Sequence, residues 1–286
     1  MISIVGAGPG APDLITVRGA GRLRVADTVI YAGSLVNPAL LGLCGENSSI
    51  YNSAELTLEE VMEIIRRDHG AGRDIVRLHT GDPSIFGAIR EQIDILKKEN
   101  IPFEIIPGVS SFCGAAASLE AEYTLPGVSQ TVIITRIAGR TPVPEQENLA
   151  SLAAHGATMA IFLSAGMLSE VSEALLSGAY TEETPAAIVY KATWPEEKIV
   201  HCTVGTLPEA GKAGGISRTA LILVGDFLGG SYERSRLYDP EFETGYRKAL
   251  RQQVHQERRG VPATTHEVQS TSNHRTALNC RRKESE

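Results

Sequence analysis

Short runs of aliphatic and β-branched residues alternate with amphipathic stretches along the first hundred residues. Ile2–Val5, Thr28–Tyr31, Ile75–Leu78 and Phe103–Ile106 have the length and make-up of buried strands. Between them, Thr16–Val25, Leu58–Arg67 and Phe86–Lys97 place apolar residues three and four apart, which predicts helices. Strand and helix in repetition read as α/β with a mostly parallel sheet. The stretch EAEYTLPGVSQ (Glu120–Gln130) breaks the pattern, with Pro126-Gly127 as its punctuation. A second α/β set follows, with strands expected at Thr131–Thr135, Met159–Leu163, Ala187–Tyr190 and Ala220–Val224 and helices at Glu145–Ala154 and Leu168–Ser177. The expected organisation is an N-terminal α/β domain over 1–120 and a C-terminal α/β domain over 121–250, with a ligand cleft between them. From about Leu250 the chain turns polar and basic. It is too poor in apolar residues to offset its ordering entropy, so 251–286 reads as a disordered tail.

Composition narrows the function classes. With 42% hydrophobic and 21% charged residues among 286, the chain has the balance of a soluble globular protein. Its formal charge of −7 argues against a nucleic-acid partner while leaving room for a local basic pocket. No apolar run approaches the roughly 18–20 residues of a membrane span, so no membrane is expected and the cytoplasm is the expected location. Cys44, Cys113, Cys202 and Cys280 form no C-x-x-C pair, and the first three read as small apolar filler. The seven histidines show no metal-binding spacing; His79, at a strand end, reads as a satisfied core or loop histidine, and no metal site is expected.

The opening GAGPGA (Gly6–Ala11) fits the letters of the dinucleotide fingerprint but not its context. Pro9 and Pro12 intervene, the helix pattern begins only near Thr16, and the second strand ends in Ala32-Gly33 rather than in a ribose-binding acid. Two further strand ends are more telling: RLHTGDPSIFG (Arg77–Gly87) and EIIPGVSSFCGAAA (Glu104–Ala117). Small residues there let a ligand approach the backbone, and helix starts offer free N–H donors. Ligands of open α/β sheets sit outside the carboxyl ends of the strands. The loops from Gly6, Gly81 and Gly108 therefore point to one small-molecule site.

The stretches VGAGPGAPDLIT, TGDPSIFGAIREQ and PGVSSFCGAAA resemble those of the tetrapyrrole (corrin and porphyrin) methyltransferases. YAGSLV, SAELTLEE, EYTLPGVSQTVIITRIAGRTPVPE, YKATWPEE, TALILVGDFL and SRLYDPEFETGYRKAL are similar to one branch, whose members methylate C11 of precorrin-4 or cobalt-precorrin-4 in cobalamin synthesis. The resemblance covers roughly residues 1–250. It implies two α/β domains with S-adenosylmethionine in the cleft between them, a tetrapyrrole substrate and a homodimer. Carried over by position, the family's cofactor contacts fall on Pro9, on Thr80, Gly81, Asp82 and Ile85, on Ser110 and Ser111, and on Leu163 and Ala192. The last two come from the resemblance alone. Related uroporphyrinogen methyltransferases carry an acid, proposed as proton acceptor, where this chain has Ala32, so no catalytic residue is assigned. A tetrapyrrole bears many carboxylates, and Arg136, Arg140 and Lys191, near strand ends of the second half, are the expected cations for them.

Overall fold

In the computed structural model, which describes residues 1–249, two five-stranded sheets carry the fold. The first contains β1 (Ile2–Gly6), β2 (Thr28–Tyr31), β3 (Ser49–Asn52), β4 (Ile75–His79) and β5 (Phe103–Ile106) in the order β3-β2-β4-β1-β5, all parallel. β1 and β4, at its centre, are buried along their whole length, as helices on both faces require. On one face Val5, Val29, Val76 and Leu78 pack with Leu23 of α1 (Val17–Val25). On the other, Ile2, Ile30 and Ile75 pack with Val61, Met62 and Ile65 of α2 (Leu58–Gly70) and Leu96 of α3 (Arg90–Lys98). Local chemistry starts these helices: Thr16 caps α1 by accepting from the Gly19 amide, and Thr57 and Glu60 form a capping box on α2.

The second sheet contains β6 (Val132–Arg136), β7 (Thr158–Phe162), β8 (Pro185–Tyr190), β9 (Lys198–Thr203) and β10 (Ala220–Val224), ordered β6-β7-β10-β8-β9. β6 and β7 are parallel, but β10 runs antiparallel to both β7 and β8, and β8 is antiparallel to β9. The mostly parallel pattern thus describes the first sheet and not the second. Because β10 returns between β7 and β8, its first residues lie beside the last residues of its neighbours, with Ala220 opposite Tyr190.

One face of this sheet is covered by α5 (Leu149–Ala153), α6 (Leu168–Leu176) and α7 (Leu207–Gly214), through Leu149, Val171, Leu175 and Leu207. The other face, with Ala160, Val189, Leu221 and Leu223, receives Ala115 of α4 (Ser111–Ser118) together with Tyr123 and Phe227. The helix that leaves the first sheet after β5 therefore packs on the second. Its small-residue sequence SFCGAAAS suits that position: a Cβ on Gly114 would stand 2.7 Å from the Pro9 side chain and 3.3 Å from that of Thr193. Met1–Arg234 form one compact unit, and a second, described as far as Ala249, begins at Ser235. In the latter the described residues hold one helical turn, Arg236–Tyr238, and Arg247 donates to the Leu237 and Asp239 carbonyls at 3.0 and 2.6 Å. The expected tail, 251–286, lies outside the described residues, as does Cys280.

Local differences from the sequence reading have local causes. The helix expected from Phe86 begins at Arg90, because Phe86 and Ala88 hold φ of 53° and 50° and cannot join a right-handed helix. The helix expected over Glu145–Ala154 is a single turn, Glu145–Glu147, followed by α5 with Asn148 as its N-cap. Cys44 and Cys202 pack against the two cores as filler, but Cys113 is exposed.

Candidate functional site

The loops after β1, β4 and β5 meet at adjacent strand ends, main chain against main chain. Gly8 and Gly81 exchange backbone hydrogen bonds at 3.2 and 2.9 Å. A Cβ on Gly108 would sit 2.1 Å from the Gly81 carbonyl oxygen, and one on Gly6 2.6 Å from the Gly108 Cα. These glycines let the loops approach one another, whereas the sequence reading had them making room for a ligand. Gly10 serves a different neighbour: a Cβ there would lie 2.0 Å from the Trp194 indole. That indole N–H donates to the Pro9 carbonyl at 3.1 Å, and the Ala11 amide donates to Thr193 Oγ1 at 2.9 Å. The segment after β8 therefore grips the loop after β1.

Asp82 ties two of the loops. Its carboxylate accepts from the Gly108 and Ser84 amides, both at 2.8 Å, and from the Ser84 hydroxyl. Burial alone would raise its pKa, but these hydrogen bonds outweigh it and hold the group below the usual carboxylate range. Ser110, a buried residue at the N-cap position of α4, makes no side-chain cap bond, leaving its hydroxyl and the Ser111 and Phe112 amides to a ligand.

Between these loops and the matching edge of the second sheet lies a cavity of about 930 Å³. Pro9, Thr80, Gly81, Asp82, Ile85, Ser110 and Ser111 line it from the first sheet's side. Leu163, Ala192, Arg136, Arg140 and Lys191 line it from the second's. All twelve residues singled out in the sequence thus reach one cavity. Backbone strain gathers there too: of the eight described non-glycine residues with positive φ, Phe86, Leu163, Lys191 and Thr219 are on its wall. Such conformations cost about 1–3 kcal/mol each and persist where surrounding structure holds them.

The cations differ in how far they are already engaged. Arg136 donates to the carbonyls of Pro142 at 2.7 Å, Thr141 at 3.1 Å and Ile137 at 3.3 Å, so it folds the loop after β6. Lys191 stands 3.5 Å from a Glu196 carboxylate oxygen and 4.7 Å from the Trp194 ring centre. The sequence reading missed Arg218, which also lines the cavity. It precedes β10, and a search confined to the carboxyl ends of parallel strands passes over it. Phe86 and Phe162, whose rings pack at 5.3 Å, and Trp194 complete the apolar wall and were likewise missed.

His79 stays outside this wall. It is buried, but its Nε2 has no hydrogen-bond partner, so the expected satisfied histidine is buried without being satisfied. Burial, aided by the Arg77 charge, pushes its pKa down to about 3, and it is neutral at ordinary pH. Among the described residues no group of His, Cys, Asp and Glu could hold a metal ion.

Residues 1–208 match the family described as Tetrapyrrole (Corrin/Porphyrin) Methylases. A cobalt-precorrin-4 C(11)-methyltransferase of Methanocaldococcus jannaschii is 55% identical over 249 residues, 87% of this chain and 96% of that protein. A precorrin-4 C(11)-methyltransferase of Pseudomonas aeruginosa is 44% identical, over 86% of this chain and 98% of that one. The solved structure of the cobalt precorrin-4 methyltransferase CbiF superposes with a TM-score of 0.78 at 46% identity, covering 80% of this chain and 96% of that one. With a matching sequence over most of its length, a matching fold, and a cavity between the strand ends of two sheets, this chain belongs to the tetrapyrrole methylases.

Proposed function

We propose that the protein transfers a methyl group from S-adenosylmethionine to C11 of precorrin-4 or its cobalt complex, giving the corresponding precorrin-5 in cobalamin synthesis. The observation that carries this reading is the cavity wall. Four cationic side chains line it against one carboxylate, Asp82, in a chain whose net charge is −7. A basic cavity with aromatic walls suits a flat ring edged with carboxylates. The names of the relatives at 55% and 44% identity supply the ring position.

The residues present fit the donor. Thr80, Ser110 and Ser111 offer hydroxyls and amides, and Pro9, Ile85, Leu163 and Ala192 offer apolar contact. When bound, S-adenosylmethionine supplies an activated methyl on a sulfonium, so the protein's task is alignment and exclusion of water. Backbone-packed loops set the donor's side, and Phe86, Phe162 and Trp194 narrow the other. Asp82 is the one carboxylate on the wall among the described residues, and its hydrogen bonds commit it to holding the loops, so we assign no proton acceptor.

The test is anaerobic transfer of labelled methyl to metal-free and cobalt-loaded precorrin-4, followed by locating the label. Label at C11 in one form supports the reading and identifies the substrate; label at another ring carbon overturns the position. The reading also takes the enzyme to be a cytoplasmic homodimer with no nucleic-acid or membrane partner. No helix among the described residues is long and apolar enough to cross a membrane, and light scattering on the purified protein checks the dimer.

A further inference from the structure

We infer that Arg140 and Arg218 form a carboxylate-recognition subsite on the second sheet's rim of the cavity. The inference rests on the tetrapyrrole reading above and assigns the job to Arg140 and Arg218 rather than to the trio Arg136, Arg140 and Lys191 that sequence position suggested. Two of the four wall cations are spent on the protein itself. Three backbone carbonyls take up the Arg136 guanidinium, and Glu196 and Trp194 flank the Lys191 ammonium. Arg140 and Arg218 are exposed on the wall, and among the described residues neither has a hydrogen bond or ion pair to another group.

The topology places the pair on one rim. A Cβ on Gly139 would stand 3.3 Å from the Met167 methyl carbon, and one on Gly166 would stand 3.2 Å from the Ser217 carbonyl oxygen. The loop after β6, the loop after β7 and the segment entering β10 therefore touch in succession. The antiparallel course of β10 makes this possible, since a parallel β10 would carry Arg218 to the far end of the sheet. Inside the rim lies apolar surface: Leu163, 65% exposed, and the Phe86–Phe162 pair. A guanidinium presents a planar fork that matches a carboxylate with two parallel hydrogen bonds. Two unengaged forks beside an apolar wall fit a ligand whose ring lies on the wall while its edge carboxylates reach outward.

Steady-state methyl transfer by Arg140→Gln, Arg218→Gln and the double variant tests the subsite, alongside calorimetric binding of S-adenosylhomocysteine. Each single change is expected to raise the tetrapyrrole KM about tenfold and the double about a hundredfold, the range of a lost charge-assisted pair. The kcat and the S-adenosylhomocysteine Kd are expected to stay within about twofold. Arg218→Lys is expected to recover part of the KM, because it keeps the charge and loses the fork. An unchanged KM in the double variant overturns the subsite while leaving the methyltransferase reading intact. A parallel loss of S-adenosylhomocysteine affinity also overturns it, since the residues would then be supporting the cofactor side. If the wild type methylates neither form of precorrin-4, the functional reading fails. The subsite is then judged with uroporphyrin, a fluorescent octacarboxylate: weaker binding by the double variant supports it, and equal or absent binding by the wild type overturns it.

Discussion

The two edges that face each other across the cavity are built from different materials. On the first sheet the edge is main chain: three loops packed through Gly6, Gly81 and Gly108, with Asp82 bonded to two amides. On the second it is side chain: Arg140, Lys191, Arg218, Leu163 and Phe162 stand on strand ends that run in both directions. A main-chain edge tolerates little change, because every atom is shared with a neighbouring loop. A side-chain edge can be altered one residue at a time while the sheet beneath stays intact. In the proposed reading the donor sits mainly on the first edge, with Leu163 and Ala192 of the second closing over it, and the second edge's cations take the substrate.

The sharpest way to break the comparison is to add one carbon to the main-chain edge. Gly108→Ala puts its Cβ among backbone atoms of Gly81 and Gly6 that cannot yield. A stability loss of about 3 kcal/mol is expected by urea unfolding. A loss below about 1 kcal/mol would mean the loops can part, and the edge would no longer count as rigid.

Next in size, Asp82→Ala leaves the Gly108 and Ser84 amides without their acceptor, for an expected loss of about 2 kcal/mol and weaker S-adenosylhomocysteine binding. The sign with pH follows from the lowered folded-state pKa of Asp82. Its contribution is complete above the unfolded value near 3.9 and fades as pH falls through the folded one. The gap between wild type and Asp82→Asn in thermal melts is therefore expected to close on acidification below about pH 4.

Trp194→Phe removes the indole N–H from the Pro9 carbonyl and part of the ring surface while keeping an aromatic side chain, and about 1 kcal/mol is expected to go. If this bond joins the edges as drawn, S-adenosylhomocysteine affinity falls with it; unchanged affinity would confine Trp194 to packing.

The smallest effect at neutral pH is a gain. His79→Leu replaces an unpartnered buried nitrogen, for about 0.5 kcal/mol of added stability. The folded pKa of His79 is pushed down to about 3, so below the unfolded value near 6.5 the unfolded chain takes up a proton that the folded one refuses. Wild-type stability from this group is full above about pH 6.5 and is lost as pH falls toward 3, whereas the Leu variant is expected to lack that slope. Equal acid slopes would mean that His79 is not shielded as its burial indicates.

The main-chain edge was the more legible in the sequence. Its strands are continuous apolar runs such as ISIVG, and its loops announce themselves through Gly-Asp-Pro and Pro-Gly. Even so, the packing of Gly6 and Gly108 against neighbouring main chain went unseen, because a one-dimensional pattern shows where side chains are absent and not what fills the space. The side-chain edge was legible in part. Arg136, Arg140 and Lys191 were found from their places after strands, but only coordinates show that three carbonyls take up Arg136. Arg218 was hidden by the direction of β10, which ALILV does not encode: a short apolar run reads the same whichever way the strand runs. The edge strands β3 (SIYN) and β9 (KIVHCT) escaped notice because both are only partly buried and carry a weak apolar signal. The bend at Phe86 and Ala88 was read as helix because apolar residues recur there at helical spacing, although the positive φ of both residues forbids it.

The placement of α4 carries a lesson for anyone recombining genes of this family. The helix is continuous in sequence with the first sheet, yet it seals the second, with Ala115 among the residues packed on that sheet's inner face. A chimaera joined at the composition break near residue 120 would take its seal from one parent and the surface it seals from the other. Moving the crossover upstream, to the Pro107-Gly108 turn, transfers helix and sheet together, provided both parents keep the glycines that pack at Gly6, Gly81 and Gly108.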